Sequence, residues 1–341
     1  MRIIIDAMGG DHAPEEIVRG AVRARNELGV EITLVGREEA VRACLSGEEE
    51  KGITIVDAKE VITMEDDPST ATRRKKDASM TVALNLLKEG KGDAVVSAGS
   101  TGALLTGATL IVKRIRGIRR AAMAPVLPAG EHGVMLIDCG ANVECTAEYL
   151  LQFAFMGSFY AKKIMGCENP AVGLLNVGTE DSKGGQLQHE AFALLKEAGE
   201  QGRIRFVGNI EGTDVFTGKA DVVVTDGFTG NVLLKGTEGV IKYMMKALKG
   251  VFYKNTVNKL AAAVLKNDLA EMKRSMDVNE VGGTAFVGIS KPVVKAHGSS
   301  NADSIFSAVR QAKRFAESGI IREIEENIDY MKVDGRGNGE A

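Results

Sequence analysis

The chain has 341 residues, 44% of them hydrophobic and 26% charged, with a formal net charge of −3; these values are typical of a globular protein larger than one small disulfide-stabilised domain. It has no Trp, only 5% aromatic residues and no basic excess, which argues against a nucleic-acid partner. No apolar run reaches about 18 residues, no signal-peptide pattern precedes the first predicted strand, and the four cysteines lack metal-site or disulfide spacing, so we expect a cytoplasmic protein.

Short apolar runs alternate with stretches of helical periodicity along the chain. The predicted strands are 3–5, 32–35, 53–56, 94–97, 134–137, 172–175, 204–207, 222–225 and 285–289. The predicted helices are 15–28, 79–87, 102–114, 147–164, 187–198 and 302–315. The strands are continuously apolar rather than alternating, so helices must cover both of their faces. This pattern predicts an α/β protein, a three-layer αβα Rossmann-like sandwich with a mostly parallel sheet.

The number of domains is predicted from the absence of a linker in the sequence. No change of composition separates two domains, so we expect one large α/β domain over residues 1–333. A basic amphipathic helical segment at about 240–276 is predicted to protrude from it, and the tail 334–341 to be disordered.

The chain has seven polar, glycine-rich segments; six directly follow predicted strands, and the seventh precedes the last predicted helix. They are 6–11, 98–102, 138–142, 176–185, 208–212, 226–231 and 296–303. The carboxyl ends of parallel strands meet at one edge of a sheet, where open α/β folds bind ligands. We therefore expect these loops on one edge of one sheet, forming a one-sided active site.

Two of these loops suit an oxyanion. The segments 99–102 and 298–301 open predicted helices with small residues and free backbone N–H groups, which favours phosphate binding; ordinary helix capping explains the same residues. The sequence has no nucleotide-binding GxGxxG, no Walker A motif, no nucleophile elbow and no HExxH motif. We therefore expect no cofactor and no metal. Phosphate could instead attack an activated carbonyl directly, with Lys183, Asn231 and His297 as predicted catalytic donors.

The stretch from Val240 to Met276 carries eight basic residues against two acidic ones. Its lysines recur at seven-residue spacing and would line one edge of a helix. Three interpretations stay open: a core-packed helix with a solvated lysine face, a helix on an anionic membrane surface, or a dock for an acidic partner. The predicted membrane contacts are Val257, Leu260, Ala261 and Val264. A second acid-free cluster, at 113–120, offers another site for an acidic partner.

Taken together, the loops resemble those of a known family. The segments 5–11 (IDAMGGD), 97–103 (SAGSTGA), 138–142 (DCGAN), 173–178 (GLLNVG), 221–231 and 298–300 (GSS) are similar, in this order, to the bacterial phosphate acyltransferases, the acyl-carrier-protein:phosphate transacylases of phospholipid synthesis. The resemblance covers nearly the whole chain. One departure is Ser100, where the family loop reads Gly-Asn-Thr-Gly; Ser keeps a short hydrogen-bonding side chain, so only fine positioning changes.

The resemblance implies a fold like that of the isocitrate and isopropylmalate dehydrogenases and the phosphotransacetylases. It implies a homodimer that converts long-chain acyl-ACP and inorganic phosphate into acyl phosphate and free ACP, for phosphatidic acid synthesis. Peripheral association with the membrane would let the product reach a membrane-bound glycerol-3-phosphate acyltransferase. The implied phosphate and substrate contacts are Asp6, Gly9, Gly10, Gly99, Ser100, Thr101, Gly102, Asn142, Asn176, Asp226, Gly230, Ser299 and Ser300.

Three other functions compete with this interpretation. A phosphotransacetylase-like enzyme would share the fold and chemistry but use short acyl-CoA. A decarboxylating dehydrogenase would need clustered aspartates of the DxxxD kind, whereas Asp221 and Asp226 lie five apart. A non-catalytic scaffold for lipid-synthesis enzymes would use only the amphipathic segment.

Overall fold

The computed structural model describes residues 1–45, 51–130, 132–275 and 282–333, and their strands form two β-sheets. The strands are β1 (Arg2–Asp6), β2 (Glu31–Gly36), β3 (Ile53–Asp57), β4 (Ala94–Ser97), β5 (Ala122–Ala124), β6 (Val126–Leu127), β7 (Val134–Ile137), β8 (Ala171–Leu175), β9 (Arg205–Ile210), β10 (Val222–Val224), β11 (Thr284–Val287) and β12 (Val293–Lys295). The helices are α1 (Glu15–Leu28), α2 (Glu38–Ala43), α3 (Ala71–Arg74), α4 (Ser79–Lys88), α5 (Thr101–Gly107), α6 (Ala147–Tyr160), α7 (Gln186–Glu200), α8 (Gly227–Phe252), α9 (Thr256–Val264), α10 (Lys266–Ser275), α11 (Ala302–Glu317) and α12 (Ile320–Glu326).

The first sheet has seven strands in the order β3-β2-β1-β4-β12-β11-β5. All neighbours pair in parallel except β11, which runs antiparallel to both β12 and β5. In this register Ser97 of β4 lies opposite Asp6 of β1 on one side and Lys295 of β12 on the other. Three polar residues therefore stand side by side at the carboxyl edge of this sheet.

The second sheet has five strands in the order β6-β7-β10-β8-β9, with only β6 antiparallel to its neighbour. The chain passes from the first sheet to the second at Pro125, between β5 and β6. Proline cannot donate to a sheet ladder, so it separates the two short strands. The single sheet expected from the sequence is thus two sheets, and the glycine-rich loops are divided between them.

Helices cover both faces of the first sheet, as the continuous apolar runs predict. Along β1, Ile3 and Ile5 enter one hydrophobic core, where they meet residues of α1 and α11, whereas Ile4 enters a second core with residues of α4 and α5. All three side chains are fully buried. The prediction of a three-layer αβα sandwich with mostly parallel strands is confirmed.

A helical arm leaves this body at α8. Its first turns bury Gly227, Gly230 and Leu234, and no residue of α9 is buried. The amphipathic segment predicted at 240–276 therefore belongs to an arm that starts earlier, at 227, and is not core-packed within this chain. Met276 and the tail 334–341 lie outside the described residues. Within the described ranges, no helix is long and apolar enough to cross a membrane.

Candidate active site

Three loops of the first sheet converge at its carboxyl edge, after β1, β4 and β12. Asp11 donates its backbone N–H to the carbonyl of Gly298 at 2.8 Å. A Cβ on Gly9 would lie 2.7 Å from the backbone nitrogen of Gly99. Gly10 has a φ of +108°, a conformation that favours glycine. The predicted residues of these loops are thus brought together by close backbone packing.

Asp6 anchors this cluster. Its carboxylate is 1% exposed and accepts the hydroxyls of Ser79 and Ser97, each at 2.6 Å, and the N–H of Met8 at 3.3 Å. Burial raises its pKa, and the hydrogen bonds oppose that shift. Through these hydrogen bonds Asp6 connects α4 and β4 to the loop that follows β1.

The facing half of the site comes from the second sheet. Asp138, after β7, accepts the backbone N–H groups of Met123, Ala141 and Asn142 and the side-chain amide of Asn142. Asn142 also donates to the carbonyl of Ala121 and accepts the N–H of Gly227. Asp138 and Asn142 therefore join the strand connection, the β7 loop and the start of α8.

The start of α8 is held firmly against this loop. Asp226 caps the helix by accepting the N–H and hydroxyl of Thr229, at 2.9 and 2.7 Å. A Cβ on Gly230 would collide with the carbonyl oxygen of Asp138, so only glycine allows the helix this close. The positive end of the helix dipole is thereby placed at the site.

The two halves enclose a cleft of about 390 Å³. Its lining residues are Thr101, Gly102, Leu105, Met123, Pro125, Cys139, Gly140, Ala141, Val143, Gly227, Phe228, Asn231, Leu234, Lys235, Glu238, Gly283, Thr284, Lys295, Ala296 and His297. Apolar side chains and cations thus share one cavity, which suits a ligand with an apolar part and an anionic part.

Three basic side chains line the cleft. Lys295 is 8% exposed, and burial lowers its pKa to about 8. Burial also lowers the pKa of His297, and neighbouring Lys295 and Lys235 lower it further. The N–H of Ser299 donates to His297 Nδ1 at 3.2 Å, so the neutral ring carries its proton on Nε2. His297 can therefore donate a hydrogen bond while uncharged.

The sulfur atoms near the cleft are not suited to nucleophilic attack. Burial raises the pKa of Cys139 well above its usual range and that of Cys145 to about 12, so both stay thiols at neutral pH. In the described part of the chain, no group of three or more His, Cys, Asp or Glu residues could hold a metal ion.

The predicted site residues are not all placed alike. Thr101, Gly102, Asn231 and His297 line the cleft. Ten others lie at the end of β1, in the loops after β1, β4, β7, β10 and β12, or in the first turn of α8, and are not among the lining residues: Asp6, Gly9, Gly10, Gly99, Ser100, Asn142, Asp226, Gly230, Ser299 and Ser300. Ser100 caps α5 through the N–H of Ala103 at 3.5 Å, in agreement with the capping alternative.

Lys183 and Asn176 lie on the loop after β8 and are not among the residues that line this cleft. Asn176 donates to the carbonyl of Lys183 at 3.0 Å. The Lys183 side chain is 47% exposed and lies 3.9 Å from Glu180. The catalytic role predicted for Lys183 stays a prediction.

Lys295 is a buried, charged cleft residue that is absent from the site predicted from the sequence. Its position in the sequence could have identified it, because it follows the apolar residues Val293 and Val294 and directly precedes a polar, glycine-rich loop. The four predicted membrane contacts, on α9, are all exposed, with Val264 at 83% and Val257 at 74%.

Comparisons with known proteins agree with this architecture. The family model described as "Fatty acid synthesis protein" matches residues 1–323. A phosphate acyltransferase of Oceanobacillus iheyensis is 48% identical over 332 residues, 97% of this chain and 98% of that protein. One from Bacillus cytotoxicus is 50% identical over 323 residues, 94% of this chain and 96% of that protein.

Among solved structures, a phosphotransacetylase from Streptococcus pyogenes has the same fold, with a TM-score of 0.62 over 94% of both chains at 19% identity. The family model and the two acyltransferases each match more than nine-tenths of this chain. The chain therefore belongs to the phosphate acyltransferase family and is an acyltransferase that acts on an acyl substrate and phosphate.

Proposed function

We propose that the acyl substrate is a long-chain thioester of acyl carrier protein and that the product is an acyl phosphate for phosphatidic acid synthesis. The observation that carries this proposal is the cleft, where Lys235, Lys295 and His297 face apolar residues. A phosphate oxygen would bond to the thioester carbon, the carbon–sulfur bond would break, and the sulfur would leave as thiolate. A thiol with a pKa near ~8.5 departs with little help.

The catalytic contribution of the protein is then positioning and charge stabilisation. His297 Nε2–H and the amide of Asn231 are donors for the oxyanion that develops on the carbonyl. The amino end of α8 adds a favourable field for the anionic substrate. No side chain of the protein needs to become covalently acylated.

A long acyl chain is supported by the apolar side chains at and beyond the cleft. Phe228 and Val143 line it, and each is 62% exposed. Along α8, Val232, Val240 and Tyr243 are also exposed. A short acetyl group would leave this surface unused, whereas a fatty acyl chain would cover part of it.

An acidic carrier protein would meet basic surface on this chain. On the helical arm, Lys249 and Lys259 lie 5.7 and 5.9 Å from the Tyr253 ring. In the second basic cluster, Arg119 is paired with Glu148 and Arg120 lies over Tyr149. These two lysines of the arm contact an aromatic ring rather than a carboxylate, so their charge stays available to an acidic partner, and binding through the arm should weaken as salt rises.

Thiol release distinguishes the candidate functions. We expect fast release from long-chain acyl-ACP only when phosphate is present, with acyl phosphate as the product. Long- and short-chain acyl-CoA serve as competing donors. Preference for short acyl-CoA would instead indicate a phosphotransacetylase-like enzyme, and no phosphate-dependent release from any donor would refute the proposed reaction.

Peripheral membrane association is the second part of the proposal. Val257, Leu260, Ala261 and Val264 form an exposed apolar strip on α9, and lysines flank it, as expected of a helix lying on an anionic bilayer. Homodimer formation, and hand-over of acyl phosphate to a membrane-bound glycerol-3-phosphate acyltransferase, rest on the family resemblance.

Acidic substitutions on this strip should abolish membrane binding. Burying one such side chain in the bilayer contributes about 1.5–3 kcal/mol, so Leu260→Glu/Val264→Glu should weaken binding to anionic vesicles by at least about 100-fold. Co-sedimentation measures the binding, and turnover of soluble substrate should stay unchanged. Ala262→Glu, on the other side of α9, is the control. Equal binding by the double variant and the wild type would refute the membrane contact.

A further inference from the structure

Lys295 ends β12 in the interior of the first sheet, between β4 and β11. It lies opposite Ser97 on one side and Thr284 on the other. Its ammonium donates to the carbonyl of Ala98 at 3.3 Å and also to the carbonyl of Ala296. It thus joins the β4 loop to the β12 loop while it lines the cleft.

This buried cation has no anionic partner within the described residues. Asp6 and Asp11 are near enough to raise its pKa, but no ion pair joins Lys295 to either carboxylate. Asp6 is already satisfied by Ser79 and Ser97. Lys235 adds a second positive charge and has its own partner, Glu238, at 3.0 Å. Burying an unpaired charge destabilises the folded protein. A buried lysine without an ion-pair partner therefore indicates a functional role, such as binding an anionic ligand.

We propose that the Lys295 ammonium is the counter-ion of the phosphate substrate in the cleft. This inference rests on the proposed function, since it assigns phosphate to the end of the cleft formed by the β4 and β12 loops. Lysine binds phosphate as a compact point charge. The Ser300 hydroxyl, in the same loop, is buried and has no hydrogen-bond partner among the described residues. Ser300 is not among the residues that line the cleft, so Lys295 and His297 are the basic side chains at this end of the cleft that a ligand meets.

The charge state of Lys295 agrees with this role at physiological pH. A pKa of about 8 leaves the ammonium roughly 90% protonated at pH 7. The charged groups that face it are Asp6 and Asp11 from the β1 side, Lys235 from α8, and His297 from its own loop. His297 is neutral at pH 8 because its pKa is lowered from 6.5, so it does not titrate in the same window.

The decisive variants are Lys295→Met and Lys295→Arg, assayed by thiol release from long-chain acyl-ACP at varied inorganic phosphate. Loss of a charge-assisted hydrogen bond should raise the KM for phosphate about 10- to 100-fold in Lys295→Met, with the KM for the acyl donor unchanged. Lys291→Met is the matched control, because Lys291 also donates to main-chain carbonyls, of Leu87 and Lys88, near the opposite end of the same strand.

The pH profile separates binding from a purely structural role. For the wild type, kcat/KM for phosphate should fall about tenfold per pH unit above about 8, as Lys295 loses its proton. Arginine stays charged at these pH values, so Lys295→Arg should not show this decrease of kcat/KM at alkaline pH (the alkaline limb of the profile). If Lys295→Met does not fold, this comparison alone decides the question.

A readout without an acyl donor separates failure of this inference from failure of the proposed function. Inorganic phosphate should raise the Tm of the wild type and of Lys291→Met, and should not raise that of Lys295→Met. An unchanged KM for phosphate in Lys295→Met, or an alkaline limb retained in Lys295→Arg, would overturn the inference. Phosphate-independent release by the wild type would instead count against the proposed function.

Discussion

Replacing Gly230 by alanine should lower kcat/KM at least about 100-fold. The new Cβ would occupy the position of the Asp138 carbonyl oxygen, and a backbone atom cannot rotate away as a side chain can. The start of α8 must therefore separate from the β7 loop and carry Asn231 and Phe228 with it. A displacement of about 1 Å in a positioned group can cost about 10²-fold in rate.

The same helix supplies the control for this variant. Gly236 and Gly239 have nothing within 4 Å of an added Cβ, so alanine at either should keep full activity and stabilise the helix by up to ~1 kcal/mol. Steady-state kinetics and urea unfolding of the three variants test the comparison. Wild-type kcat/KM in Gly230→Ala would show that the contact between α8 and the β7 loop does not position the site.

The second large effect is expected on stability, from Asp138→Ala. Four hydrogen bonds converge on this buried carboxylate, from Met123, Ala141 and twice from Asn142. Removing it leaves buried donors without partners, at about 1–3 kcal/mol each, and relief of the buried charge offsets part of that cost. We expect the free energy of unfolding to fall by about 3–5 kcal/mol, as measured by urea titration.

Asp221 provides a matched comparison at the opposite edge of the same sheet. Its carboxylate accepts one backbone N–H, that of Ala171 at 2.8 Å, and it is remote from the cleft lining. Asp221→Ala should lose about 1 kcal/mol and keep its activity per folded molecule. Equal losses in the two variants would contradict the anchoring role assigned to Asp138.

Much of the architecture could be predicted because burial on both faces leaves a local signature. Runs such as Ile3–Ile5 and Val134–Ile137 are apolar at every position, and the structure buries them completely. All nine predicted strands overlap strands of the structure. Four of the seven predicted polar loops, 98–102, 138–142, 226–231 and 296–303, line the cleft, because parallel strands direct their carboxyl ends to one edge of a sheet.

The short strands were missed for a physical reason. β5, β6 and β12 have three, two and three residues, and Pro125, between β5 and β6, and Lys295, in β12, interrupt the continuous apolar runs from which strands were predicted. They are held in place by pairing with neighbours that are distant in sequence. Because β12 was not predicted, the position of Lys295 in the interior of the sheet, opposite Ser97, could not be predicted either.

The division into two sheets likewise depends on long-range pairing. Pro125 lies where the chain passes from the first sheet to the second, and it can be read from the sequence. The pairing of β5 with β11 and of β6 with β7 depends on the whole fold. For the same reason Lys183, in a glycine-rich loop like the others, is not among the residues that line this cleft, whereas His297 and Asn231 both line it.

By itself, the sequence determined the fold class, the family and the loops that carry the site, because apolar periodicity and loop chemistry are local properties of the chain. Only the tertiary structure decided which loop residues reach the cleft and which support it, and that Lys295 is a buried cation without an ion-pair partner among the described residues. Those properties depend on distances and burial, which arise when strands far apart in sequence pair side by side.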